Sequence, residues 1–150
     1  MAGRITLSRE EIQLLMDTSV GEEARNRYRA MVLEDAPGQL DQLVDTLYRQ
    51  SFDVDRCRDW SSALGLCHQC DYDLVVAGYR SEGIDGVSFL ARVRNSTPGA
   101  RRILVIDRCE HGILLRAVNS AGIHGILGHH WPASRIRRLI SKTIDTDRKQ

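Results

Sequence analysis

Apolar residues are spaced in two alternating ways along this chain. Short runs, continuously or alternately apolar, are separated by longer segments whose apolar positions recur every three or four residues. The short runs are "YRAMVLE" (28–34), "FDVDRC" (52–57), "YDLVVAG" (72–78), "RRILVI" (101–106) and "IHGILG" (123–128). The third is almost wholly apolar, as a central strand covered on both faces requires. Between the runs, Pro37 opens a helix with Leu40, Leu43, Val44 and Leu47 on one face, and Asp59 is placed to cap a helix carrying Ala63, Leu64, Leu66 and Cys67. Asp85 caps "GVSFLARVR", and "HGILLRAVNSA" forms a fourth helix that Gly122 stops in a left-handed conformation. Pro132 opens the last helix, with Ile136, Leu139, Ile140 and Ile144 inward and Arg135, Arg137, Arg138 and Lys142 outward. Five strand–helix units in succession predict an α/β fold with a doubly wound, five-stranded parallel sheet. Such a sheet works at the carboxyl ends of its strands, which here carry Glu34, Asp35, Gly78, Ile106 and His129.

Composition narrows the classes. At 150 residues, 42% hydrophobic and 27% charged, the chain has the size of one domain with one sizeable core. A net charge of +1 supplies no overall field toward nucleic acid or an anionic membrane. No apolar run approaches the roughly 20 residues of a membrane span, and "MAGRITLSREEIQ" lacks an apolar signal core, so a cytoplasmic protein is expected. The four cysteines (Cys57, Cys67, Cys70, Cys109) then read as reduced thiols.

The order and spacing of four blocks resemble a bacterial response-regulator receiver domain, from about Tyr28 to Ile144: the acidic pair in "VLEDAPGQL", "DLVVAGYRSEGIDGVSFL", the "AVNSAGIHGIL" approach to the fifth strand, and "HHWP" after it. The resemblance implies the flavodoxin-like receiver fold for residues 28–147. It also implies a phosphoryl-accepting aspartate at the end of the third strand, where Gly78 stands instead. Glycine has no nucleophile. Glu34 and Asp35 match the pair that holds magnesium, but a hard cation wants several oxygens and the third carboxylate is missing. Ile106 replaces a hydroxyl residue, His129 replaces a lysine, and Ile126 replaces the aromatic that changes rotamer in the usual switch. The expected product is a pseudo-receiver: no catalysis, no metal, no cofactor. Glu34 and Asp35 then read as residual carboxylates, solvated or bonded to His129.

Other motifs carry less. "CHQC" (67–70) has the spacing of a zinc or redox clamp but lacks a second ligand pair, so these cysteines read as small core or boundary residues. Adjacent His129 and His130 point in different directions, and Trp131 is expected against the last helix. "SRIRRLISK" reads as a solvated helix face, because the balanced charge lacks the basic excess of a DNA binder.

Residues 1–27 form an N-terminal helix and tether. In "LSREEIQLLM" (7–16), Ser8 and Glu11 make a capping box ahead of an apolar stripe, and "DTSVGEEARNR" loosens after it. The helix resembles the regulator-binding peptide of the flagellar motor switch protein, keeping Leu7, Ser8, Glu11, Ile12 and Leu15. Docking would use Leu7, Ile12, Leu15 and Met16; packing on its own domain is the alternative. On the receiver itself, Ile126 supplies an apolar centre and Arg116, Arg135 and Arg138 a basic rim for a signalling partner, be it a receiver, a kinase, a motor or chemotaxis component, or a second copy in a homodimer. The function expected is phosphorylation-independent protein–protein contact in bacterial signal transduction, with chemotaxis or flagellar control as the setting the leader suggests. The competing readings are a phospho-switch with an unrecognised acceptor and a nucleic-acid-binding regulator.

Overall fold

The computed structural model describes residues 8–11, 28–80, 83–107 and 111–148. Five strands, β1 (Tyr28–Leu33), β2 (Phe52–Cys57), β3 (Leu74–Gly78), β4 (Arg101–Ile106) and β5 (Gly125–Gly128), form one sheet in the order β2-β1-β3-β4-β5, with every neighbouring pair parallel. The helices that follow them are α1 (Asp41–Arg49), α2 (Trp60–Gln69), α3 (Gly86–Ser96), α4 (His111–Arg116) and α5 (Ala133–Arg148). The chain steps outward from β1 to β2, then crosses back to β3 on the other side of β1. That reversal opens a crevice at the carboxyl ends of β1 and β3.

Both faces of the sheet are covered. Ala30, Val32, Leu74, Val76, Ile103 and Val105 alternate onto one face and pack under α1 and α5, while Met31, Leu33, Val75, Ala77 and Leu104 alternate onto the other, under α2 and α3. This two-sided burial is why β1, β3 and β4 read as nearly unbroken apolar runs. Asp59 and Asp85 cap α2 and α3 as their positions predict, each accepting the backbone N–H three residues on, at Ser62 and Ser88. Among the described residues, no helix is long and apolar enough to cross a membrane.

Two helices depart from the periodicity. α1 begins at Asp41 rather than Pro37: Gly38 takes a left-handed φ of 77°, and the chain turns twice before helical bonding starts. The helical pattern predicted for 111–121 splits into α4 and a wider π turn over Ala117–Ala121. Gly122 ends it in the left-handed conformation expected of it (φ 55°). The widening turns carbonyls of Asn119, Ser120 and Ala121 toward two arginines, Arg94 and Arg102, which donate to them.

One glycine is fixed by close approach. A Cβ on Gly86, at the start of α3, would lie 2.3 Å from the Gly78 carbonyl oxygen and 2.9 Å from a Leu104 methyl. Gly86→Ala should therefore destabilise the domain by roughly 1–3 kcal/mol. Gly65, inside α2 with open space around it, should gain about 0.5–1 kcal/mol when changed to alanine. Urea denaturation of the two variants checks the pair.

Candidate functional site

The strand ends bring the predicted residues together unequally. Glu34 continues the phase of Ala30 and Val32, and Arg56 that of Phe52 and Val54, so both side chains leave the sheet on the α1–α5 side. There they meet. Arg56 Nε donates to Glu34 Oε2 at 2.7 Å and Nη2 to Oε1 at 2.9 Å; the Leu40 backbone N–H adds a third bond to Oε1 at 3.2 Å. The same Nη2 reaches Asp41 Oδ1 at 2.7 Å. Hydrogen bonds to Glu34 and then Asp41 hold the guanidinium above its ordinary pKa, so this cation is permanent. Glu34 is 3% exposed, and both of its oxygens are committed. Asp35 is exposed, its backbone N–H donating to Gln39 Oε1.

His129 is not the partner of this carboxylate. Its Nε2 lies 3.2 Å from Asp107 Oδ1, on the far side of the strand ends. The correction has a simple geometric origin: two strands, β3 and β4, separate β5 from β1, whereas β2 is next to it. Arg56 and Asp41 are the site residues that sequence reasoning missed. The signal for Arg56 was its place in the apolar phase of "FDVDRC", two residues after Val54, where a solvated arginine is not expected.

Gly78 ends β3 with an ordinary backbone conformation, and a Cβ there would meet only carbonyl oxygens at 3.7 and 4.0 Å. Neither strain nor crowding demands a glycine. Ile106 ends β4 and is buried. Together with Tyr79, Arg80, Val105, Asp107, Ile113 and His129 it lines a cleft of about 370 Å³. Its floor is hydrocarbon where Ile106 stands, and its polar lining includes Arg80 and the His129–Asp107 pair.

The flank formed by α4, β5 and α5 holds the other predicted residues. Ile126 is half-buried and packs toward the α2–α3 side. Arg138 is exposed, and Arg135 stacks on the Trp131 ring at 3.7 Å, which places that tryptophan against α5 as expected. Arg116 is engaged with α3: its Nη2 lies 3.3 Å from Asp85 Oδ2 and from Ser88 Oγ. Against the opposing effect of partial burial, the Ser88 N–H and Arg116 hold the Asp85 carboxyl below its ordinary value. α4 buries none of its own residues, and Leu115 and the following Val118 are 50% and 59% exposed.

Cys67 is buried on α2, and burial first, then nearby Cys57 and Cys70, pushes its thiol up to about 11. That is the setting of a packed thiol, not a nucleophile. Cys109 lies outside the described residues, as do Leu7, Ile12, Leu15 and Met16. Ser8 and Glu11 are described and form the predicted capping box, the Glu11 N–H donating to Ser8 Oγ at 3.0 Å and the Ser8 N–H to Glu11 Oε1 at 2.8 Å.

No protein-family model matches the chain, and no curated protein matches it. Solved structures do. The signal receiver domain of an HD domain-containing protein from Pseudomonas fluorescens Pf-5 superposes with a TM-score of 0.77 at 21% identity, over 83% of this chain and 99% of that one. A CheY-like response regulator receiver domain protein from Methanospirillum hungatei JF-1 gives 0.76 at 16% identity, over 82% and 98%. The beryllofluoride-activated NtrC4 receiver domain dimer gives 0.73 at 15% identity, over 79% and 98%.

The fold is that of a receiver domain. In the receiver fold the crevice beside β1 is where a magnesium ion is implied, and the residues present do not fit one. A hard cation takes about six or more oxygens. Glu34 has given both of its oxygens to Arg56, Gly78 brings no carboxylate, and a permanent guanidinium already stands in contact with Glu34 and Asp41.

If Arg56 fills that charge requirement, removing it leaves Glu34 buried and unpaired. Arg56→Leu should cost about 3 kcal/mol, the low end for a broken buried pair because Arg56 is one-third exposed. Asp41→Asn, at an exposed carboxylate, should cost under about 1 kcal/mol. Equal losses in chemical denaturation would mean that the two carboxylates share the cation equally.

Proposed function

We propose that this chain is a phosphorylation-independent pseudo-receiver, acting by protein–protein contact in bacterial signal transduction, with residues 28–147 as its receiver-like domain and residues 1–27 as a separate docking extension. The observation that carries the reading is the closed charge of the crevice: Arg56 occupies the Glu34 carboxylate that a phosphorylatable receiver keeps for a metal ion. The strand end that should present the nucleophile is Gly78, and Ile106 removes the hydroxyl that would contact a phosphoryl group. Each of these changes alone impairs the switch, and they lie on four different strands or strand ends. On this reading the crevice transfers no phosphoryl group.

Contact would run through the α4, β5 and α5 flank. Half-exposed Leu115 and Val118 and partly buried Ile126 form its apolar part, and Arg135 and Arg138 its basic rim. Arg116, tied to Asp85, supports that flank from behind. The partner is a signalling protein, and a second copy of the chain qualifies as one; the NtrC4 receiver is itself a dimer. The leader supports a motility setting through its capping box and the apolar stripe of Ile12, Leu15 and Met16.

Two outcomes follow. Incubation with a small phosphodonor should leave the intact mass unchanged, and beryllofluoride with magnesium should leave the melting temperature and amide resonances unmoved; an added phosphate, or saturable shifts around Glu34, Asp35 and Gly78, would favour the phospho-switch reading instead. For the leader, Ile12→Asp with Leu15→Asp should abolish binding of a synthetic 1–20 peptide to active chemotaxis regulators. Each anchor buried is worth about 1.5–3 kcal/mol, so the loss should be complete, and the full-length double variant should keep its melting temperature. A large fall in that temperature with no peptide binding would place the leader as a structural part of the domain.

A further inference from the structure

A cavity of about 250 Å³ opens at the amino ends of β1 and β2, the edge of the sheet opposite the crevice. Tyr28 begins β1 and Leu33 ends it, so the two sites stand ~17 Å apart along one strand. The rings of Tyr28 and Phe52, with centroids 5.2 Å apart, form one wall, and Ile140 and Ile144 of α5 form another. α1 ends here as well: Gln50 and Ser51, the two residues that follow it, line the remaining side.

The charge and the dipole at this cavity have one sign. Asp145, exposed on α5, is the charged residue of the described lining, and among the described residues no cation pairs with it. The carboxyl end of α1 adds the negative pole of a helix dipole. Gln50 adds an acceptor. Its Nε2 donates to Ser141 Oγ at 2.7 Å and to the Arg137 carbonyl at 3.3 Å, and because a carbonyl can only accept, the orientation of the amide is fixed. Oε1, at the other side of that amide, is buried and accepts no hydrogen bond among the described residues, an uncommon state for a buried acceptor. An aromatic wall likewise favours a cation over an anion. The cations adjacent in sequence are directed elsewhere: Arg29 pairs with Asp55, Lys142 lines a different cavity, and Arg49 is exposed outside the lining.

We infer that this cavity binds a small organic ammonium ion, its charge beside Asp145 and the carboxyl end of α1, its hydrocarbon part on Ile140 and Ile144. A primary ammonium carries three donors, and Gln50 Oε1 is an acceptor still without one. A metal ion does not fit. A hard cation takes about six or more oxygens, which one carboxylate beside two isoleucines does not provide. The volume sets a limit as well: at about 250 Å³ the cavity is below the ~300–1,000 Å³ of pockets that enclose drug-sized ligands, so it takes a short alkyl stem and its ammonium head. The inference does not depend on whether the crevice is silent, because the two sites share no residue.

The test is a titration of the full chain with n-butylammonium chloride at constant ionic strength, followed by amide and side-chain resonances, with n-butanol and sodium chloride as the uncharged and metal-ion controls. Saturable shifts should cluster at Gln50, Ser51, Ser141 and Asp145, and only with the ammonium. Asp145 is exposed, so Asp145→Asn should fold normally and weaken binding by about tenfold or more, the loss of a charge-assisted hydrogen bond. Asp145→Glu should retain it. A lysine side chain carries the same group, so capped lysine, Nα-acetyl-lysine methylamide, is titrated in parallel: tighter binding than n-butylammonium assigns the site to a lysine of a partner protein, weaker binding to a free amine. Shifts that n-butanol or sodium reproduces, that grow linearly without saturating, or that persist unchanged in Asp145→Asn would overturn the proposal.

Discussion

Three adjacent strands, β1, β3 and β4, are buried on both faces, and a parallel sheet in that position needs helices above and below it. The rest of the architecture follows from supplying them. Every crossover must run the length of the sheet, every strand therefore ends at the same edge, and polar residues that cannot enter the core gather there. The edge is crowded as a result. Gly86 has no room for a methyl group because the N-terminus of α3 sits against the carbonyl of Gly78.

The charge of a carboxylate buried at that edge is met from within the chain. A buried carboxylate beside β1 must have a cation. Here the cation is covalently part of the protein, reaching across from β2. A bound ion can leave and can respond to a second ligand, whereas a guanidinium on an adjacent strand is present whenever the sheet is. The crevice is thereby made a fixed structural joint between β1, β2 and α1, with Leu40 and Asp41 completing it.

Arginine plays the same part on the opposite flank. Arg94 and Arg102 donate to the carbonyls exposed by the π turn, and Arg116 ties α4 to Asp85 at the start of α3. α4 has no fully buried side chain of its own, so these polar ties, with half-buried Ile113 against the core and Ala117 and Ala121 packed beneath the turn, locate it. Leu115 and Val118 remain outward.

Read alone, the chain determines the fold class, the strand limits to within a residue or two, and the caps at Asp59, Asp85 and Gly122, because each is local: periodicity, a side-chain oxygen three residues from an N–H, a left-handed stop. It also determines what is chemically absent at Gly78 and Ile106, since a missing atom needs no geometry. Partnership was decided only by tertiary structure. Arg56 and Glu34 are 22 residues apart, and nothing in either segment alone says that β2 lies against β1 in a register pairing Val32 with Arg56. His129 and Glu34 look equally plausible as a pair until the strand order puts β3 and β4 between their strands. Side-chain neighbours at a sheet edge are set by strand order and register, which are properties of the whole packed sheet.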